Sequence, residues 1–302
     1  MGAASALCFY NRHASASGGT RVGVRASFLW LQLLHPPGSH MDIPNSKPSE
    51  ETSRMLALVE QETGYRVTVG TTDNSKADAE MISAAPGHPF HLINVSTRCL
   101  PVADYIVAVQ CVMLLTMWSH PQGVPVFEVV PEKIDYAIRK AAGCRGLAKL
   151  PQALAEQTAR NMVLGLLHQL ISTPPELIAM EYCHRECPGL RVQQADALAQ
   201  SLRRNTGNLR AEIKEMAPPE IWTANQALCA SLARGWCDLV EDEIAMLPYN
   251  SVGVEATAQK LVGIYRSVRG TMGECSVGTV DRWANELGFR SLYTWTFRKR
   301  TA

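Results

Sequence analysis

An excess of charge of either sign is missing from this chain: 29 Lys and Arg stand against 28 Asp and Glu over 302 residues, a net of +1. No broad positive field is therefore available to draw in nucleic acid or anionic membrane. The motifs of common chemistries are missing as well. There is no G-x-G-x-x-G, no Walker A loop, no G-x-S-x-G elbow and no His-Glu-x-x-His, so phosphate-loop and hydrolase readings have no residues to rest on. Acidic residues are absent from the first 41 positions, which hold Arg12, Arg21 and Arg25 among many Ser, Ala and Gly. That composition reads as a targeting segment, a native tail, or sequence upstream of a true start at Met41, and on each reading residues 1–41 stand outside the fold. Residues 42–302 are expected to form a single mainly helical domain, since 46% hydrophobic with 19% charged is ordinary for a chain that builds a core.

The organising stretch is Phe90 to Trp118. His91 to Ser96 partly alternates, with Leu92, Ile93 and Val95, as a strand with one buried face does. Pro101 then suits the first turn of a helix, where its missing N–H is no loss. From Val102 to Trp118 the strongly polar side chains are Asp104, Gln110 and Thr116 alone, so no face of this helix suits water. The run is shorter than the roughly 20 apolar residues of a membrane span and carries Asp104 and Gln110, which favours a buried central helix over a span.

Around it, Ser49-Glu50-Glu51-Thr52 opens a helix that ends at Gly64, Tyr65–Gly70 reads as a strand, Glu80–Ala84 as a weaker one, and Pro86-Gly87-His88-Pro89 as a turn. The fold class expected is α+β, predominantly α-helical. Residues 42–130 supply a small N-terminal antiparallel sheet of about three strands packed on the central apolar helix, and residues 131–302 a helical bundle. Within the bundle, Pro174-Pro175 is expected to end one helix and start another.

The strand, break and apolar helix of Phe90–Trp118 resemble the core of ImmA/IrrE-type metallopeptidases, whose helix carries a His-Glu-x-x-His zinc motif. That pattern lays Val109, Gln110 and Met113 on the first His, the Glu and the second His, and none of the three does the required work. The resemblance implies a non-catalytic relative. The layout after Met41 also resembles an uncharacterised bacterial family, through Ala103-Asp104-Tyr105-Ile106-Val107-Ala108, Arg160 to Leu167, and the closing Trp283 and Trp295. That family supplies no activity.

Gln110 is the polar residue of most interest, because a buried amide without partners costs a few kcal/mol; it is either a satisfied structural group or a ligand contact. His88 and His91 flank a turn and are candidate ligand contacts or bases, against a plain turn role. Cys183 and Cys187 put two thiols one helical turn apart with His184 between them, two ligands short of a zinc site. His168 reads as a histidine at the edge of the core. No metal or cofactor is expected. At the C-terminus Trp283 to Tyr293, with Gly288 at a tight turn, is similar to the second helix-turn-helix of AraC-type regulators. On that resemblance Arg298, Lys299 and Arg300 would meet DNA phosphates. Nine cysteines, an odd number in apolar or helical contexts, fit free thiols in a reducing cytoplasm. The sequence thus reads as a cytoplasmic, non-catalytic protein that binds another protein or a small ligand. DNA binding through residues 281–300 and an enzyme of unfamiliar type are the alternatives.

Overall fold

In a computed structural model residues 48–73 and 77–300 are described, and the expected 1–41 extension lies outside them. The Ser49 hydroxyl accepts the Thr52 N–H at 3.2 Å, Glu50 and Glu51 face the positive end of the helix dipole, and α1 (Glu50–Thr63) begins there. Gly64, at φ 75°, closes it in the left-handed conformation that glycine adopts without strain. Three strands follow: β1 (Arg66–Thr72), β2 (Ala79–Ile82) and β3 (Phe90–Ser96), in the spatial order β1-β3-β2.

The sheet is mixed, which corrects the expected antiparallel arrangement. β3 pairs antiparallel with β2 and parallel with β1, with His91 opposite Val67 and Ile93 opposite both Val69 and Met81. The reason lies in β3, where His91, Ile93, Val95 and Ser96 are all buried. The strand with the deepest buried face takes the centre, and its half-buried neighbours take the edges.

A 3-10 turn (Thr97–Val102) carries Pro101 and leads into α2 (Ala103–Trp118), which has no exposed residue. By length and composition Thr97–Trp118 is the one stretch among the described residues apolar enough to cross a membrane, and more than half of it is buried inside the protein. β4 (Val124–Val129) and α3 (Pro131–Ala142) follow, then α4 (Gln152–Glu186), a helix of 35 residues. The rest is α5 (Arg191–Thr206), α6 (Ala211–Met216), α7 (Pro219–Val240), α8 (Leu247–Asn250), α9 (Glu255–Ser267), α10 (Met272–Leu287) and β5 (Tyr293–Arg298). Among the described residues the result is a predominantly helical α+β fold of ten helices with sheets of three and two strands.

Two further expectations give way. Pro174 and Pro175 do not end a helix; both lie inside α4. Their missing N–H groups leave the Leu170 and Ile171 carbonyls without their usual partners. Thr173, Pro174, Pro175 and the flanking Leu170 and Leu177 are buried, and that packing holds the helix through the interruption. The helix-turn-helix is the other. Gly288, at φ 82°, caps α10, and after a 3-10 turn the chain becomes β5, paired antiparallel with β4 in the register Val124↔Arg298 to Val129↔Tyr293. The residues expected to form the recognition helix alternate as Tyr293-Thr294-Trp295-Thr296-Phe297, a strand pattern rich in strand-forming residues.

Asp281 fixes that strand. Its Oδ1 accepts from Tyr293 Oη at 2.7 Å and Trp295 Nε1 at 2.9 Å and pairs with Arg290 Nε at 3.1 Å. Asp281→Ala should lower unfolding free energy by about 2–4 kcal/mol, since it strips one acceptor from three half-buried donors. Denaturant unfolding with Trp295 as the local fluorophore measures this, and an unchanged midpoint would contradict the role given to Asp281.

Candidate functional site

His91 sits at the second position of β3 and points inward, fully buried. The Ala84 N–H donates to its Nδ1 at 3.1 Å, and Nε2 lies 3.0 Å from Thr63 Oγ1. Thr63 gives its own proton to the Val59 carbonyl at 2.7 Å, so the His91 Nε2–H is the donor in that pair and the ring is the neutral Nε2–H tautomer. Tyr65 and Trp118 stand edge-on to it, at centroid distances of 5.9 and 5.5 Å. Burial drives the imidazole from its ordinary 6.5 down to about 4, and the positive charges of Arg298 and then His88 push the same way. With both nitrogens committed, His91 is structural and serves as neither ligand nor base.

His88 differs. It closes the turn by a two-way backbone pairing with Ala85, and its ring tilts over Phe90 at 4.0 Å. Its Nδ1 is buried without a hydrogen-bond partner.

The C-terminal strand delivers cations to the same place. Arg298, the last residue of β5, is half-buried, and its Nη2 donates to the Ala84 carbonyl at 2.7 Å, across 214 residues of sequence. No carboxylate pairs with it among the described residues. Burial pulls its pKa down from the ordinary arginine value, and the neighbouring Tyr65 hydroxyl acts in the opposite direction. Two residues on, Arg300 donates to the His120 carbonyl, and the buried His120 ring stacks on Phe297 at 4.6 Å. Lys299 between them is exposed.

The histidines and the basic tail, two unrelated proposals along the sequence, are therefore neighbours in space. Gln110 does not join them. It lies two turns before Trp118 on α2, on a half-buried stripe with Met113 and Met117, so its amide is half-buried where a buried one was expected. His184 is tied to Gln194 at 3.1 Å, and His168 is exposed on α4. Among the described residues no three His, Cys, Asp or Glu side chains gather to hold a metal. Two concavities lie elsewhere, a crevice lined by Thr52, Leu56, Asp104 and Gln193 and an open bowl of Arg203, Arg204 and Arg210.

The signal for Arg298 was available in the period-two pattern of residues 293–297, which predicts that it continues a strand. What the arrangement does chemically is present a half-buried positive charge beside Tyr65 and the Ala84 carbonyl. Neither a family model, nor a curated protein, nor a solved structure matches the chain.

The buried neutral His91 makes stability depend on pH. The unfolded residue takes up its proton near 6.5 and the folded one near 4. Between those values the unfolded state holds more protons, so unfolding free energy should fall as pH drops from 6.5 to 4 and flatten below, by on the order of 2 kcal/mol. His91→Gln, whose amide supplies one acceptor and one donor, should lose that share of the pH dependence in urea titrations. An identical slope in the variant would assign it to other groups.

Proposed function

We propose that the protein works by binding rather than catalysis, and that its ligand presents an oxyanion, a carboxylate or a phosphate, to the junction of Arg298 and His88. The single observation that supports this reading is the half-buried Arg298 guanidinium with no acidic partner among the described residues. A desolvated cation is unfavourable until an anion neutralises it, and guanidinium geometry matches a carboxylate or phosphate edge. His88, with its free buried nitrogen, supplies a second polar group on the same rim. Tyr65 stands beside Arg298, and Phe90 packs on the His88 ring.

The non-catalytic part of the proposal draws on α2. Val109 is buried and has no donor atom, Gln110 is a neutral amide, and Met113 packs into the core around α2. A strand, a 3-10 turn and an apolar helix with those residues fit a relative of ImmA/IrrE-type peptidases that has given up zinc chemistry. A cytoplasmic setting belongs to the same proposal, supported by eight free cysteines among the described residues.

Calorimetric titration of the full chain with inorganic phosphate and with a dicarboxylate tests the reading. Binding to either is expected, weakened at least about tenfold in Arg298→Gln, which keeps a donor for Ala84 and loses the charge. Equal affinity in the variant, or no heat with either anion at millimolar concentration, would overturn it.

A further inference from the structure

A second site lies at the far end of α4. Cys183 stands in its last turn and Cys187 is the residue that leaves the helix, at φ −128° and ψ 64°. The Cys187 N–H still donates to the Cys183 carbonyl at 2.9 Å, so the two Cα atoms keep the one-turn spacing of about 6 Å, within the span a disulfide bridges. The departure from helical φ swings the Cys187 side chain off the regular helical direction. Both sulfurs are buried, and Cys111 of α2 lies alongside as a third thiol.

The cover over Cys187 is a cation. Arg54, on the exposed face of α1, bonds the Glu186 carbonyl and holds its Nη2 3.9 Å from Cys187 Sγ. Arg54 forms no ion pair among the described residues, and the nearby Glu51 carboxylate is taken up by the Gly189 N–H at 2.8 Å. The groups facing Cys187 are therefore Arg54, Cys183, Cys111, Glu51, Tyr182 and Glu186. Interaction between the neighbouring thiols, and then the Arg54 charge, lowers Cys187, while the same interaction and burial raise Cys183. The Arg54 guanidinium 3.9 Å from Cys187 Sγ makes Cys187 the better-placed nucleophile of the two.

We propose that Cys187 and Cys183 form a peroxide-reactive dithiol site, with Cys187 as the attacking sulfur, Cys183 as the resolving one and Arg54 as its mobile cover. The Cys187 thiolate attacks one oxygen of a hydroperoxide and breaks the O–O bond. A sulfenic acid forms, and the departing alkoxide takes up a proton to leave as the alcohol. Cys183 then attacks the Cys187 sulfur, releasing water and closing the disulfide. Two electrons pass from the dithiol to the peroxide, and a small dithiol reductant reverses the bridge. In this proposal the exposed Arg54 side chain is the part of the cover that swings aside.

Treating the full chain with hydrogen peroxide and mapping the tryptic peptides tests this, because cleavage after Arg185 separates the two cysteines unless a disulfide joins them. A Cys183–Cys187 linked pair is expected ahead of oxidation at the half-buried Cys144 and Cys275. Cys183→Ser should trap a sulfenic acid on Cys187 that dimedone labels. Arg54→Gln, at an exposed position, should leave the fold intact and slow alkylation of Cys187 at pH 7 by about three- to tenfold, with its pH midpoint raised. Prior oxidation of Cys144 or Cys275 with residues 183 and 187 still reduced, or an unchanged rate in Arg54→Gln, would overturn the assignment.

Discussion

Everything in this fold answers to one constraint, a helix with no face fit for water. From Tyr105 to Trp118 the residues of α2 are buried or half-buried at every position, so each side must be covered by something. α1 and the sheet cover it on one side, α4, α5 and α10 on the others. Each fully buried Val, Ile or Leu contributes roughly 1.5–3 kcal/mol, which makes the wrap favourable only when it is complete. Several of the polar groups in the wrap register its helices. Gln194 of α5, itself buried, donates to the Met180 carbonyl of α4 at 2.9 Å and meets His184 at 3.1 Å, while its neighbour Gln193 accepts the Tyr105 N–H of α2 at 3.1 Å. Two adjacent amides thereby register three helices, and the exclusion of water makes those bonds expensive to leave unmade.

The second constraint follows from the first. The apolar residues around α2 and those around α7, α9 and α10 form separate clusters, and α4 belongs to both, with Leu166, Leu170 and Leu177 in one and Ile178, Ala179 and Cys183 in the other. A single continuous helix therefore passes from one core to the next. That requirement explains why Pro174-Pro175 sits mid-helix without ending it. Ser172 and Thr173 turn their hydroxyls back to the Gln169 carbonyl, at 3.2 and 2.8 Å, and the loss of two backbone hydrogen bonds is outweighed by burial on both sides of the interruption. Close approach elsewhere in the wrap is equally demanding. A Cβ on Gly273 of α10 would come 2.5 Å from the His120 backbone nitrogen, so the start of α10 meets the end of α2 through glycine alone.

How much of this was legible in the amino-acid order depends on range. α2 was plain because a continuous apolar run declares its own burial. The sheet's pairing was hidden, since nothing local says that β3 inserts between β1 and β2. The proline pair was misread by a local rule that tertiary packing overrides. At the C-terminus the αL cap at Gly288 is shared by helix-turn-helix units and by any helix that stops, and the alternation from Tyr293 to Phe297 was the clue that separates them. The candidate sites divide the same way. The spacing of Cys183 and Cys187 is visible in the sequence, but Arg54 is 133 residues from Cys187. His88 and Arg298 each drew notice for local reasons, and only the β4–β5 pairing brings them to one rim.

Arg54 and Arg298 share a physical situation that links the two proposed sites. Among the described residues nine Lys and Arg side chains stand in ion pairs. Arg234, for example, bridges Asp238 and Glu243, and Asp78 serves Arg98 and Arg204. Arg54 and Arg298 instead donate to backbone carbonyls, a neutral acceptor that fixes the guanidinium without neutralising it. A fixed, uncompensated cation stabilises whatever negative charge arrives beside it, and the environment selects which kind. Beside Arg54 the arriving charge is internal, the Cys187 sulfur, because two further thiols and the end of α4 close the space. Beside Arg298 the neighbours are neutral His91, the aromatic rings and the unpartnered His88 nitrogen, so the balancing charge must come from outside the chain.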